Sequence, residues 1–499
     1  MTARQSKNLQ ILWIVSGSVL ILFGGFIPSV WSENQGTTPP SLSEPALMDI
    51  SVKDAILFAL ENNPSLKAQR YVPSLKETYV QEEKGAFDPA LSGGVTIKDD
   101  ETGSGNLSLS WPLPTGTRPS VSFSGEKRTP TSSNPYSDAV TYSLGITQSL
   151  LQGGPNRTAN LAKVQAAQLD LFASQWELRA FAETLVFNVE KAYWDHYLAL
   201  RQAEIYRNSL ALAEQQLEDT RKKIAVGRIA ELELAAAQVE VAQRKEVLIS
   251  AEGRIETTRL RLLQYIVGGR FRDLPVNLRG EPRLLEEETG DVQSRVEIGL
   301  QKRPDLVAAR FSRDKGDLEV IRTKNGLLPK LDFFIFLGST VYRDSLGEAG
   351  RNLFSDDPTL SAGISLSIPL GNRAADARAR RAVVSRAQME EALNNMERVV
   401  EVEIRTAFTE AKRTRASITA TAETRRLQAE KLQAELEKYQ VGRSTSFLVA
   451  TAERDLLSAT LEEAQAVVNH ILAVLTLYKA EGTLLDRRGI TFSIDAGAG

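Results

Sequence analysis

The sequence predicts an α+β membrane protein with an internal tandem duplication, each copy carrying a long antiparallel coiled-coil helical hairpin joined to short strands. Three observations predict it. A set of motifs recurs in the same order in both halves. Helical stretches run for about 70 residues with almost no Gly or Pro, and segments of alternating polarity precede them.

The repeat comes first. Residues 50–71 and 290–311 share one pattern: an amphipathic segment, a break at Asn63-Pro64 or Arg303-Pro304, then a helix ending in an aromatic residue. Pro64 and Pro304 are offset by 240, as are Pro89 and Pro329 in the matching runs 87–91 and 327–331. Val226-Gly227-Arg228 recurs as Val441-Gly442-Arg443 at an offset of 215, so the second copy is shorter by about 25 residues. The boundaries that follow are 50–270 for the first copy, 271–289 for a linker, 290–485 for the second copy and 486–499 for a tail.

The N-terminus predicts export. Arg4 and Lys7 precede an apolar run over 11–27, then Ser29-Val30-Trp31-Ser32 and a polar, Pro-rich stretch. That order makes 1–32 a secretory signal peptide followed by a linker over 33–49, with an uncleaved anchor as the alternative. No later apolar run approaches the ~20 residues of a spanning helix, so any further membrane crossing must use strands.

Within each copy the order is the same. Helices with a proline break occupy 52–84 and 292–325. Thr141–Thr147 and Ser361–Ile368 alternate small or polar residues with apolar ones, and 331–342 is more continuously apolar. Long helices follow, the first over 157–226. Tyr206, Leu210, Ala213, Leu217, Thr220 and Ile224 keep a 4-3 spacing, as do Leu457, Leu461, Ala464, Val468, Ile471, Leu475 and Tyr478. This is a coiled-coil seam containing small residues. Gly227 and Gly442 each sit between two such helices, where a glycine supplies a left-handed cap and reverses the chain.

Composition removes several functions. Lys and Arg number 60 against 63 Asp and Glu, which gives nucleic acid no electrostatic hold. With no cysteine there is no disulfide, thiolate metal site or lipoprotein anchor. The two histidines, His196 and His470, lie far apart on helices and read as hydrogen-bonded helix residues, not metal ligands. No cofactor is expected. The aromatics Tyr136, Tyr142, Phe333, Phe334, Phe336 and Tyr342 fit either an interfacial belt or ordinary sheet packing.

Two to four strands per half cannot close a wide barrel, and open edges in lipid cost several kcal/mol per unpaired group. Several subunits must therefore share one barrel. On the Asn63-Pro64 and Arg303-Pro304 breaks, the 87–91 run, the 367–373 strand-to-helix junction and the two Val-Gly-Arg tips, the chain resembles the TolC-like outer-membrane factor family from 50 to about 485.

The resemblance implies a homotrimer with a shared β-barrel in the outer membrane and an α-barrel through the periplasm. It further implies that the tips Val226, Gly227, Arg228, Val441, Gly442 and Arg443 meet a periplasmic adaptor linked to an inner-membrane pump. The chain would then be a passive exit duct for efflux or type I secretion and not an enzyme. Acidic residues near the tip of an inner helix often form the family's gate; the matching stretch here is 421–431, where Glu423 and Glu430, the gate candidates, lie seven apart on one face beside Arg425 and Arg426. A periplasmic helical-hairpin adaptor or scaffold without a channel is the competing reading; its single hairpin and lack of barrel strands fit less well.

The chain departs from the family at the 147–154 junction, which lacks the proline that the second junction has at Pro369, and in one added segment. Residues 106–125 read as an extra hairpin around Pro114-Thr115-Gly116, where four strands per subunit and twelve per trimer are usual. It either joins the barrel, or folds over the channel mouth or lies beside the barrel; the latter is preferred, because a wider barrel would mismatch the helical tube and the other half supplies no matching pair.

Overall fold

The computed structural model describes residues 48–98, 102–127, 136, 138–227, 231–268, 274–280, 282, 291–355, 357–441 and 443–491. The expected signal peptide, Arg228 and Gly442 lie outside them.

The chain begins with β1 (Met48–Ile50), α1 (Val52–Asn62) and α2 (Pro64–Lys84). Ser51 and Asp54 cap α1 reciprocally: the hydroxyl accepts from the Asp54 amide and the carboxylate accepts from the Ser51 amide. Pro64 causes the break after α1, because a residue before proline is pushed out of helical geometry. Asn63 accordingly sits at φ −60°, ψ 120°, and its side chain accepts from the amides of Ser65 and Leu66 to start α2.

Four strands follow, β2 (Ala90–Ile97), β3 (Gly103–Ser110), β4 (Thr117–Lys127) and β5 (Asp138–Ser149). The helices α3 (Arg157–Ala225) and α4 (Leu232–Ile266) and the short strand β6 (Val276–Leu278) end the first half.

The second half repeats the order. It comprises α5 (Val292–Lys302), α6 (Pro304–Asn325), β7 (Lys330–Arg343), the short helix α7 (Leu346–Arg351) and β8 (Thr359–Ser367). The helices α8 (Arg373–Gln440), α9 (Ser446–Ala480) and α10 (Leu484–Arg487) complete it. Before Pro304, Arg303 adopts φ −63°, ψ 120°, nearly the geometry of Asn63.

The helices α3 and α8 have 69 and 68 residues, rods of roughly 100 Å at 1.5 Å per residue. Their partners α4 and α9 have 35 residues each and lie alongside α3 and α8, with α9 also touching α3. The expected seam residues face these contacts: Ala213, Val468, Ile471, Leu475 and Tyr478 are buried, and the others half-buried.

The main core lies where α1, α3, α4, α9 and α10 meet, around Tyr193, Leu262, Leu263, Ile266, Leu475, Leu484 and Leu485. There the Tyr193 hydroxyl donates to the Arg279 carbonyl at 2.8 Å, beside the parallel pair β1–β6. A smaller core of Val296, Leu306, Leu393, Val400 and Ile404 joins α5, α6 and α8.

The strands β2, β3, β4, β5, β7 and β8 form one antiparallel sheet in that order. This corrects the expectation that 106–125 folds over the mouth or lies beside the barrel strands. The hairpin β3–β4 stands inside the sheet, paired to β2 on one side and β5 on the other. The physical reason is pairing: folded over the mouth, β3 and β4 would each keep a bare outer edge, whereas inside the sheet both strands are bonded on both sides.

Candidate functional site

The sheet is a single layer whose two faces differ in chemistry. Cross-strand pairing places Leu91, Leu109, Val121, Leu144, Leu337 and Leu360 in one rank across all six strands. The next rank, on the opposite face, is Ser92, Ser108, Ser122, Ser143, Gly338 and Thr359. Successive side chains point to opposite faces, so the alternation holds along each strand.

On the apolar face Val95, Ile97, Leu107, Phe123, Ile146, Ile335, Ile364 and Leu366 are exposed. An apolar patch this size on a one-layer sheet marks a surface that lipid covers. The strands β4, β5 and β7, at 11, 12 and 14 residues, reach the ~9–11 residues of a tilted membrane strand. Among the described residues no helix is long and apolar enough to cross a membrane.

The six aromatics do not form one belt. Phe333 lies on the apolar face, whereas Phe334 and Phe336 lie on the hydroxyl-rich one, with ring centroids 5.4 Å apart. Their rings cover Gly363 and Gly145, where an added Cβ would stand 2.6 Å and 2.3 Å from ring atoms. Tyr142 is covered by Phe354, at 5.0 Å between centroids, in the segment that carries α7.

Where the sheet meets the helices, the β3–β4 turn is tied to the start of α3. Asn160 Nδ2 donates to the carbonyls of Pro114 at 2.8 Å and Gly154 at 2.9 Å, and the Gly153 amide donates to Asn325 Oδ1 at 3.0 Å. Gly116 has φ +79°, and a Cβ there would lie 2.2 Å from the Gly153 carbonyl. No residue pattern flagged Asn160, because its partners are backbone carbonyls of distant segments.

At the far end, Gly227 takes φ +72° and its amide donates to the Ile224 carbonyl at 2.8 Å, closing α3 as expected. Val226 and Val441 are 69% and 70% exposed, and Leu232, Phe447 and Leu448 stand open near them. Two contacts tie the hairpin ends together: Ser446 Oγ donates to Glu233 Oε2 at 2.7 Å, and Lys223 Nζ lies 5.2 Å from the centre of the Tyr439 ring. The exposed apolar residues beyond the Val-Gly-Arg motifs escaped sequence reasoning, since an apolar residue at a helix start reads equally as core.

Glu423 and Glu430 share one partner. Arg426 lies between them on α8, 2.6 Å from Glu423 and 2.5 Å from Glu430, and all three are exposed. The hydrogen bond from Arg426 holds the Glu423 carboxyl below its usual range. Arg425 turns instead to Glu463 of α9 at 2.5 Å.

Charges are buried around the end of α9 and the adjoining α10. Glu190 pairs with Arg488 at 2.5 Å and Arg295 with Glu481 at 2.6 Å. Glu183 has a weaker partner, Arg179 at 4.0 Å, which itself binds Asp486 at 2.7 Å. Burial pushes Glu183 up to about 7, Arg179 opposes this, and Asp486 and Asp305 add to it. No group of His, Asp or Glu that could hold a metal occurs among the described residues.

The family described as outer membrane efflux protein matches residues 56–268 and 297–483. The outer membrane efflux protein BepC of Brucella suis is 22% identical over 89% of this chain and 88% of its own length. The outer membrane protein TolC of Vibrio cholerae is 26% identical over 70% of this chain and 78% of its own. Among solved structures, the outer-membrane channel OprN superposes with a TM-score of 0.66 at 18% identity, covering 87% of this chain and 90% of that one.

Proposed function

The chain belongs to the outer membrane efflux protein family and is an outer-membrane efflux channel; on that premise we propose that it works as a homotrimer, a passive duct from periplasm to exterior. The observation that carries this reading is the one-layer sheet with an exposed apolar face and, among the described residues, two unpaired edges, β2 and β8. Unpaired backbone groups do not persist in lipid, so these edges must find partners, and other copies of the chain supply them. The two halves, with matching element order and matching breaks at Asn63 and Arg303, are read as tandem copies of one unit.

The tips are assigned to docking with a periplasmic adaptor that joins the channel to an inner-membrane pump. The exposed apolar residues Val226, Leu232, Val441 and Phe447 at solvent-facing helix ends support this. Glu423 and Glu430, bridged by Arg426, are assigned to the periplasmic gate. The pump selects the cargo, so one duct serves efflux or type I secretion.

The chain has no cysteine, so Val226→Cys gives a unique attachment point. Purified from outer membranes in detergent, this variant should have the mass of three chains and crosslink to its co-expressed adaptor. A monomer, or crosslinking no better than from a cysteine placed on the sheet, would reject the reading.

A further inference from the structure

We propose that all six strands of each copy stand in the barrel wall, β8 of one copy pairing with β2 of the next, so that three copies close eighteen strands. The number of copies rests on the trimeric reading above; six strands per copy does not.

The inserted pair β3–β4 behaves as wall in every respect. Residues 103–110 pair with β2 on one side and β4 on the other, and β4 pairs along its whole length with β5. Leu107, Leu109, Val121 and Phe123 share the apolar face, while Ser108, Ser110, Ser120 and Ser122 share the hydroxyl face. The turn at the helical end is held by Asn160.

Closure follows from strand parity. Six alternating strands leave β8 antiparallel to β2, so joining β8 to the β2 of another copy continues the antiparallel pattern without a break.

The helix layer ends at the same edges. Here α2, α3, α6 and α8 lie side by side in that order, with α2 leading into β2 and α8 leaving β8. Both edge helices expose apolar residues, Tyr71, Leu75 and Tyr79 on α2 and Val383, Val384, Val399 and Val402 on α8. One ring contact would therefore cover both layers at once, with a second copy of this chain as the occupant.

The consequence is a wide exit. Barrel diameter grows roughly linearly with strand number, so eighteen strands make a barrel about half as wide again as the twelve left without β3–β4. The charged residues of the hydroxyl face lie towards the strand ends, at Arg118, Glu126, Lys330 and Asp332. Between them it carries Ser, Thr, Asn, Gly and aromatic side chains. The exit therefore admits bulky cargo by size, with little selection by charge.

The test is electron cryomicroscopy of the full chain in lipid nanodiscs, with the strands counted and the copies counted separately. Six wall strands per copy are expected. A trimer with twelve wall strands overturns the proposal and leaves the trimeric reading standing; six per copy in a ring of another size does the reverse. A variant lacking 103–127 gives a second readout, since β2 and β5 remain antiparallel and are joined at their outer ends. The largest poly(ethylene glycol) entering from the outer side should then fall in radius by about one third. An unchanged radius would remove β3–β4 from the wall.

Discussion

The Nδ1 of His196 on α3 lies 3.0 Å from the hydroxyl of Thr258 on α4, binding the two arms of the first hairpin. The second hairpin makes the same contact with the roles exchanged: His470 of α9 stands 3.2 Å from Thr414 of α8. Each threonine proton is directed at a backbone carbonyl one turn back, so the hydroxyl accepts from Nδ1. For His196 this leaves Nε2 as a buried acceptor with no partner, a state suited to the neutral ring.

Protonating His196 would place a charge in that site. Burial, with Arg259 adding to it, lowers its pKa to about 4. Between pH 4 and 6.5 the unfolded chain binds more protons, so this residue's contribution rises with pH and is lost as pH falls through that window. The term is on the order of 3 kcal/mol. His196→Gln should flatten the dependence of thermal unfolding, followed by helical circular dichroism in detergent, between pH 6.5 and 4.

Glu183 acts in the opposite sense. Its folded pKa is raised to about 7, so its stabilising contribution is complete below pH 4.5 and is lost as pH rises through 7. The two terms oppose each other over nearly the same window. Glu183→Gln should raise the unfolding midpoint at pH 8, because Arg179 keeps Asp486 as its partner, and should steepen the loss of stability in acid. A midpoint lower at pH 8 than that of the parent would contradict this account of Glu183.

The junction is predicted to be sensitive to single atoms. Gly116→Ala combines a positive φ with a Cβ 2.2 Å from the Gly153 carbonyl, a cost of about 2 kcal/mol or more. Asn160→Ala strips the donor from the Pro114 and Gly154 carbonyls, about 1–3 kcal/mol. Both should lower the temperature at which heated oligomers dissociate on gels. Serine in place of the exposed Val226 is the control and should not.

At the tip, Gly227→Pro forbids the positive φ that closes α3, while no neighbour lies within 4 Å of an added Cβ. Assembly in the outer membrane should survive and export should fail. Normal export by this variant would remove the tip from the coupling pathway.

Much of the fold was legible because its determinants are local. Proline placed the breaks at Asn63 and Arg303, glycine placed the tip at Gly227, and the 4-3 spacing gave the seam through Ala213 and Leu475. The strands over 106–125, 141–147 and 361–368 were visible in their alternation and 331–342 in its apolar run; β2 was not, since Gly93 and Gly94 thin the apolar signal of Leu91, Val95 and Ile97. The place of β3–β4 was not, because a hairpin that joins a sheet and one that folds over it carry the same alternation. Only the pairing of Leu109 with Leu91 and of Val121 with Leu144 decides between them. The Asn160 junction depends likewise on geometry that spacing does not encode, whereas the i,i+3 and i,i+4 spacing of Arg426 to Glu423 and Glu430 already places the three on one helix face.

An open path across the outer membrane is read out by single-channel current from purified protein in a planar bilayer. Discrete conductance steps are expected, one per inserted oligomer, that enlarge when Glu423→Ala and Glu430→Ala are combined. Protein that incorporates into the bilayer without discrete steps would contradict an open path.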